Sequence, residues 1–389
     1  MILEGFDHDE FLRTYWQRKP LLIRHSGDPF LDPIDPDELA GLACEGVIES
    51  RIVTSHSDDN WQLMHGPFKA EAFAGLGEKN WTLLVQAVDQ VDPDVALLKS
   101  CFDFLPSWRI DDIMVSYACA GGGVGPHFDQ YDVFLIQGMG KRHWRIGERC
   151  DHSSTLRENT ELRLLQKFAT VQEVVLEPGD ILYLPPRFAH HGTSLGESLC
   201  YSVGFRAPSF AELLQGYGDE LTDSMNEDER FEDPIASDWP GNGAIGIAAV
   251  QTAFTKMREL GNQKQHFISF FGKYVTEPRY PERIQEASRS FEPEKLRELK
   301  GKVMHPAVYH KNPSSRFAYF TDQNRLLLFV DGEQFHCRPG QISLVKKLCN
   351  ALWPEPLELE NLLQDAQTHE LINTLLAQGS LLLESAPDE

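Results

Sequence analysis

Residues 109–147 read RIDDIMVSYACAGGGVGPHFDQYDVFLIQGMGKRHWRIG. Around a glycine cluster stand three runs, RIDDIMVSYACA, YDVFLIQG and KRHWRIG, each with the length and residue types of a strand. Downstream, QEVVLEPGDILYLPP and ESLCYSVGFRA continue the series, with Pro178-Gly179 as a tight turn between two strands. Many short strands at this spacing predict a β-barrel or sandwich over residues 110–210.

The glycines Gly121, Gly122, Gly123 and Gly125 pose a choice between a phosphate cradle and the lip of a metal site. A phosphate loop needs a following Lys-Ser/Thr and a helix; here an extended apolar run comes next. The glycines are read as steric, leaving room at a pocket mouth. Pro126 then leads into a strand. On it His127 and Asp129, two residues apart, share a face, so an imidazole and a carboxylate can meet one metal ion. A third ligand is offered by PGDILYLPPRFAHHG, as His190 or His191. Two histidines and one carboxylate on one face form the triad of non-haem Fe(II) oxygenases. Zinc hydrolysis can use similar ligands, so the triad alone leaves the reaction open. His56, His65 and His143 have no such company and are read as ordinary histidines.

The rest of the chain sets bounds. Its 389 residues suggest two or three domains, and 24% charged residues are ordinary for a folded protein. No apolar run approaches the roughly 18 residues of a membrane span, and MILEGFDHDEFLRTYWQRKP does not read as a signal peptide, so a cytoplasmic protein is expected. The net charge of −23 disfavours direct nucleic-acid binding and suits a basic partner. Seven scattered cysteines without a C-x-x-C pair fit reduced thiols. In the first hundred residues DPDELAGLACE reads as a helix capped by Asp35, and NWTLLVQAVDQV as a second helix. Beyond Pro208 three helices are predicted: SFAELLQGYGDELTDSM, AIGIAAVQTAFTKMREL and KQHFISFFGKYV. The last two carry more apolar residues than one exposed helix wants. NEDERFEDPIASDWPGNG reads as a linker. A hairpin, RLLLFVDGEQFHC, turns at Asp331-Gly332. Helices QISLVKKLCNAL, LELENLLQDA and HELINTLLAQG follow, then a strand, SLLLE, a pattern like a winged helix. Its recognition helix would carry only two lysines, which speaks against a DNA-binding regulator.

Several of these blocks together resemble one family. FLRTYWQRKPLLIR, NWTLLVQAVD, the stretch from Trp108 to Gly147, LEPGDILYLPPRFAHHG and YSVGFRAPS resemble the bacterial JmjC-type ribosomal oxygenases. These are cupin-fold, 2-oxoglutarate- and Fe(II)-dependent enzymes that hydroxylate an arginine, at Cβ, of the large-subunit ribosomal protein numbered sixteen. The resemblance implies an α+β chain in three parts. These are a double-stranded β-helix (cupin/JmjC) catalytic domain at 1–209, a helical dimerisation region at 210–285 and a winged-helix-like domain at 286–389. It places the metal ligands at His127, Asp129 and His190, and implies Fe(II), 2-oxoglutarate and O2. It assigns the tail carboxylate of 2-oxoglutarate to Arg142, where the residues alone leave Lys141 and Arg145 in competition; an arginine fork suits a carboxylate. Ser116 is assigned to the same co-substrate. Asp112, Met114, Tyr131 and Ser202 are assigned to the substrate arginine. Asp112, Met114, Ser116 and Ala118 share strand parity, as do Tyr131, His127 and Asp129. Ala118 and Cys200 stand where relatives can carry polar residues. The expected partners are a ribosomal protein and a second copy of the chain, with neither membrane nor nucleic acid bound directly. The alternatives are a JmjC hydroxylase or demethylase of another protein, or a cupin with a non-oxygenase metal site.

Overall fold

The computed structural model describes residues 3–383, apart from residues 4, 58–59, 159, 227, 234–240, 242, 291–307, 360–361 and 363–365. The chain forms two compact units. One comprises residues 1–207, 280–315 and 346–389, the other residues 208–279 and 316–345.

The first unit is built on two antiparallel sheets. The strands of these two sheets in chain order are β1 (Leu21–Ile23), β2 (Ser50–Ser57), β3 (Asn60–His65), β4 (Trp81–Val85), β5 (Ile110–Ala118), β6 (Val133–Gln137), β7 (Arg142–Arg149), β8 (Gln172–Leu176), β9 (Ile181–Leu184), β10 (Phe188–Ser194) and β11 (Ser198–Phe205). The larger sheet has the order β1-β9-β6-β11-β5-β4-β2-β3, and the smaller β10-β7-β8. Strand parity divides the larger sheet into two faces. Phe134, Ile136, Ile181, Tyr183, Tyr201 and Val203 pack outward, in one core with Phe11 of α1 (His8–Thr14) and Leu39 of α2 (Pro36–Leu42). Val133, Leu135, Leu182, Leu184 and Cys200 point the other way and meet Trp144, Ile146 and Leu176 of the smaller sheet. Both faces are therefore covered, which is why VFLIQ and ILYL are buried at every position. Two antiparallel sheets closed face to face make the expected double-stranded β-helix. Pro178-Gly179 is indeed the turn between two strands, but β8 and β9 lie in different sheets, so the chain crosses the barrel there.

Asp35 caps α2 as predicted, within a capping box completed by Glu38. NWTLLVQAVDQV, however, is a strand and not a helix. Trp81–Val85 is β4, followed by a single 3-10 turn at Val88–Gln90. The stretch carries no polar face, and it lies between β2 and β5 with Leu83 and Val85 buried. Asn80 and Ala87, both at positive φ, break the chain on either side, so the apparent helical spacing had no turn to occupy.

In the second unit α5 (Phe210–Ser224) starts at a Ser209–Glu212 capping box, followed by α6 (Ile247–Gly261) and α7 (Lys264–Thr276). The DG hairpin forms with Asp331 and Gly332 both at positive φ, as its turn requires. The helices Ile342–Asn350 and Ala366–Gln378 and the strand Leu381–Leu383 follow the sequence reading; the first of them begins in the second unit, and the other two elements lie in the first. Half of the helix expected at LELENLLQDA falls outside the described residues; its first residue, Leu357, bridges to Tyr309 in extended form. The linker at residues 226–243 also lies partly outside them. Among the described residues no helix is long and apolar enough to cross a membrane.

Candidate metal and co-substrate site

His127 and Asp129 do not lie on a regular strand, contrary to expectation; β6 begins only at Val133. Residues 121–129 run antiparallel along the free edge of β10 and bond to it at separated points. Gly121 and Gly122 bond to Ser194, His127 and His190 exchange two backbone hydrogen bonds, and the Asp129 carbonyl accepts from the Arg187 amide. A stretch rich in glycine, interrupted by Pro126 with no N–H to give, cannot sustain a continuous ladder. The glycines serve backbone proximity. A side chain on Gly122 would collide with the Trp81 carbonyl, and one on Gly123 with the Gly192 carbonyl. The sequence reading, that they clear a pocket mouth, misses this packing role.

His190 sits in β10, in register with Ile146 of β7. Ligand atoms of His127, Asp129 and His190 all lie within 4.8 Å of one another. Nε2 of His127 and of His190 stand 4.0 and 3.6 Å from the same Asp129 oxygen, too far for hydrogen bonds and suited to a cation between them. Each imidazole is oriented from behind: Nδ1 of His127 meets the Gly125 carbonyl and Nδ1 of His190 the Phe188 carbonyl, both at 2.9 Å. A carbonyl can only accept, so Nδ1 carries the proton and Nε2 keeps its lone pair for a metal. Burial, then the neighbouring His127, pulls the pKa of His190 down to about 4, keeping that ring neutral. Two imidazoles presenting Nε2 and a carboxylate fit a divalent transition metal.

His191, one residue on, faces the other way. Its Nδ1 meets Arg145 Nη2 at 2.5 Å, and Trp61 and Phe168 set their rings against it. His65 and His143 pair with surface glutamates, and the His56 side chain is outside the described residues.

Of the three competing basic residues, Lys141 pairs with Glu177 at the surface and Arg145 faces His191. Only Arg142 points into the barrel, where it is buried. Its guanidinium donates to Ser116 Oγ at 2.8 Å, the Ser116 carbonyl at 2.9 Å, Ser198 Oγ at 2.9 Å and the Ser198 carbonyl at 3.3 Å. All four are neutral acceptors. Burial without a carboxylate neighbour lowers the pKa of this arginine. A buried cation balanced by no anion within the described residues is prepared for one from outside.

Asp112, Met114 and Ser116 share the inward face of β5, as parity predicted, and Ser202 stands opposite Met114 on β11. Tyr131 is 42% exposed. The charge of Asp129, then burial and the charge of Asp112, raise the pKa of its hydroxyl. Asp112 is buried and accepts a 2.7 Å hydrogen bond from Gln86 Nε2. Ala118 and Cys200 are buried wall residues. The sequence reading missed Ser198, whose parity with Cys200 and Ser202 would have marked it as inward. It also missed Arg51 and Gln86, the latter concealed in the supposed helix.

Comparisons with known proteins agree with this geometry. A JmjC domain is matched over residues 97–213 and a ROXA-like winged helix over residues 257–382. The chain is 41% identical over 293 residues, 74% of its length and 76% of the relative's, to the Escherichia coli ribosomal protein uL16 3-hydroxylase. It is 42% identical over 207 residues to a probable ribosomal oxygenase of Haemophilus influenzae, covering 53% of this chain and 51% of that one. The structure of E. coli YcfD superposes with a TM-score of 0.84 at 34% identity, covering 98% of this chain and 99% of that one. The same E. coli ribosomal oxygenase in complex with cobalt and 2-oxoglutarate gives a TM-score of 0.80 at 33% identity, with the same coverage. Similarity at this level, sustained over the β-helix and the helical remainder alike, makes the chain a member of the JmjC-type ribosomal oxygenases.

Proposed function

We propose that the protein is a 2-oxoglutarate- and Fe(II)-dependent oxygenase that hydroxylates Cβ of an arginine in ribosomal protein uL16. The observation that carries this reading is Arg142, a buried guanidinium held only by neutral oxygens in the same barrel as the His127–Asp129–His190 cluster. His127 and His190 would hold the metal through Nε2 and Asp129 through a carboxylate oxygen. Arg142 takes the far carboxylate of 2-oxoglutarate, and Ser116 keeps its fork in place. Bound there, Fe(II) with 2-oxoglutarate and O2 supplies the oxidation that inserts one oxygen atom into a C–H bond, with succinate and CO2 as coproducts. The chain's own part is placement and exclusion of water. Asp112 and Tyr131 receive the substrate guanidinium beside the metal cluster, with Met114 and Ser202 as the adjoining wall. The names of the E. coli relatives and their complex with 2-oxoglutarate support substrate and co-substrate.

The same reading assigns residues 1–209 to catalysis, 210–285 to dimerisation and 286–389 to a winged-helix-like part. The JmjC match, which ends at residue 213, supports the first boundary, and the winged-helix match, which begins at residue 257 within the second region, supports a winged helix in the C-terminal third. A homodimer through α5 and α6 is supported by their exposed apolar residues: Phe210 and Leu214 on α5, and Ile247, Val250, Phe254 and Met257 on α6. A cytoplasmic location follows from a ribosomal substrate. The activity test is direct. Incubated with Fe(II), 2-oxoglutarate, O2 and uL16, the protein should yield succinate and hydroxylated arginine in equal amounts. Succinate without modified uL16 would refute the substrate assignment.

A further inference from the structure

Asp112 does not stand alone. Arg51 on β2 donates from Nη2 to Gln86 Oε1 at 3.2 Å, and Gln86 donates from Nε2 to Asp112 Oδ2 at 2.7 Å. The order of this relay is fixed by chemistry. A guanidinium has only donors, so it faces the amide oxygen, and the amide nitrogen must then turn to the carboxylate. Arg51 is itself braced, its Nη2 lying 4.0 Å from the Met114 sulfur. With Oδ2 tied, Oδ1 turns toward Gly204 of β11. A Cβ built on Gly204 would lie 3.8 Å from Asp112 Oδ1 and 3.9 Å from a ring carbon of Tyr131. A methyl group at this position would thus touch both the carboxylate and the ring.

We infer that Gln86, fixed by Arg51, is the positioning residue that aims Asp112, and that Gly204 keeps open the slot between Asp112 and Tyr131 which admits a flat guanidinium. The inference rests on the arginine reading above and deepens it: it names what makes the pocket select arginine over a neutral side chain of the same shape. An unanchored carboxylate can rotate away or pair with Arg51 directly. The relay keeps Arg51 one amide removed, so Asp112 remains an acceptor for the guest.

The test uses the full chain loaded anaerobically with Fe(II) and 2-oxoglutarate. The probes are two synthetic uL16 peptides, one with the target arginine and one with citrulline in its place. Dissociation constants are measured for both peptides and for 2-oxoglutarate. Gln86→Met is expected to weaken the arginine peptide by about tenfold, the scale of one charge-assisted hydrogen bond, while leaving the citrulline peptide and 2-oxoglutarate unchanged. Gly204→Ala is expected to weaken both peptides, because its methyl group enters the slot. Should Gln86→Met fail to fold, Arg51→Met breaks the relay from its far end and should show the same selective loss. A Gln86→Met protein with the wild-type preference for arginine over citrulline would overturn the inference alone. So would one that loses 2-oxoglutarate in proportion to peptide, since that is the mark of a merely structural role. A wild-type protein that binds both peptides equally would overturn the arginine reading and this inference with it.

Discussion

His190 and His191 are adjacent and chemically identical, yet one strand turns the first into the barrel and the second toward Arg145. Their substitutions should differ accordingly. His190→Ala is expected to weaken Fe(II) binding on the order of a hundredfold or more, and His191→Ala to leave it intact, as read by anaerobic metal titration. Equal losses would mean that the cluster is not the metal site. Arg142→Met removes the buried guanidinium that faces the barrel. It should raise the dissociation constant of 2-oxoglutarate by about a hundredfold, the scale of a lost bidentate ion pair, in an anaerobic titration of the iron complex. An unchanged constant would place the co-substrate elsewhere. The identities of these residues were legible from chemistry and resemblance. The choice between Arg142, Lys141 and Arg145 from residues alone was not, because it depends on which side of β7 faces the barrel and what waits there. The relay through Arg51 and Gln86 was beyond reach for a similar reason. It joins positions 35 and 26 residues apart that meet only when β2, β4 and β5 pair.

Elements show where local pattern misleads. Residues 121–129 carry the alternation of a strand, and their ligands do share a face, but the segment is tethered to β10 at intervals rather than paired along its length. NWTLLVQAVDQV has helical spacing because a strand covered on both faces shows no polar alternation to give it away. Glycines at crossing points have the firmest structural role here. On Gly192 a Cβ would come 2.7–2.9 Å from the six-membered ring of Trp144, whose ring centroid lies 6.0 Å from that of His190. Gly192→Ala should therefore cost about 1–3 kcal/mol in urea denaturation, because a well-packed indole must move. Wild-type stability in this variant would show that the wall beside His190 is looser than its packing implies.

Over the whole molecule, the double-stranded β-helix and the helix-rich C-terminal third were legible, since each leaves a composition or turn signal of its own; the number of strands was not, with β4 read as a helix and β10 absent from the strand runs. The division of the chain was less legible, because residues 280–315 and 346–389 return to the first compact unit from across a long stretch of sequence. Helix α6 has no buried residue, yet Ile247, Val250, Phe254 and Met257 form one stripe at helical spacing. If a second copy covers that stripe, sedimentation at micromolar concentration should give a dimer, and Phe254→Asp a monomer. A wild-type monomer would refute the assignment. The central claim concerns what the assembled protein does to a ribosome, and mass spectrometry of uL16 tests it most directly. In cells that carry this gene, uL16 should be heavier by one oxygen atom on a single arginine. That increment should vanish when the gene is deleted and stay absent when it is replaced by Asp129→Ala. An increment that persists in either strain, or a uL16 that never carries one, would contradict the account.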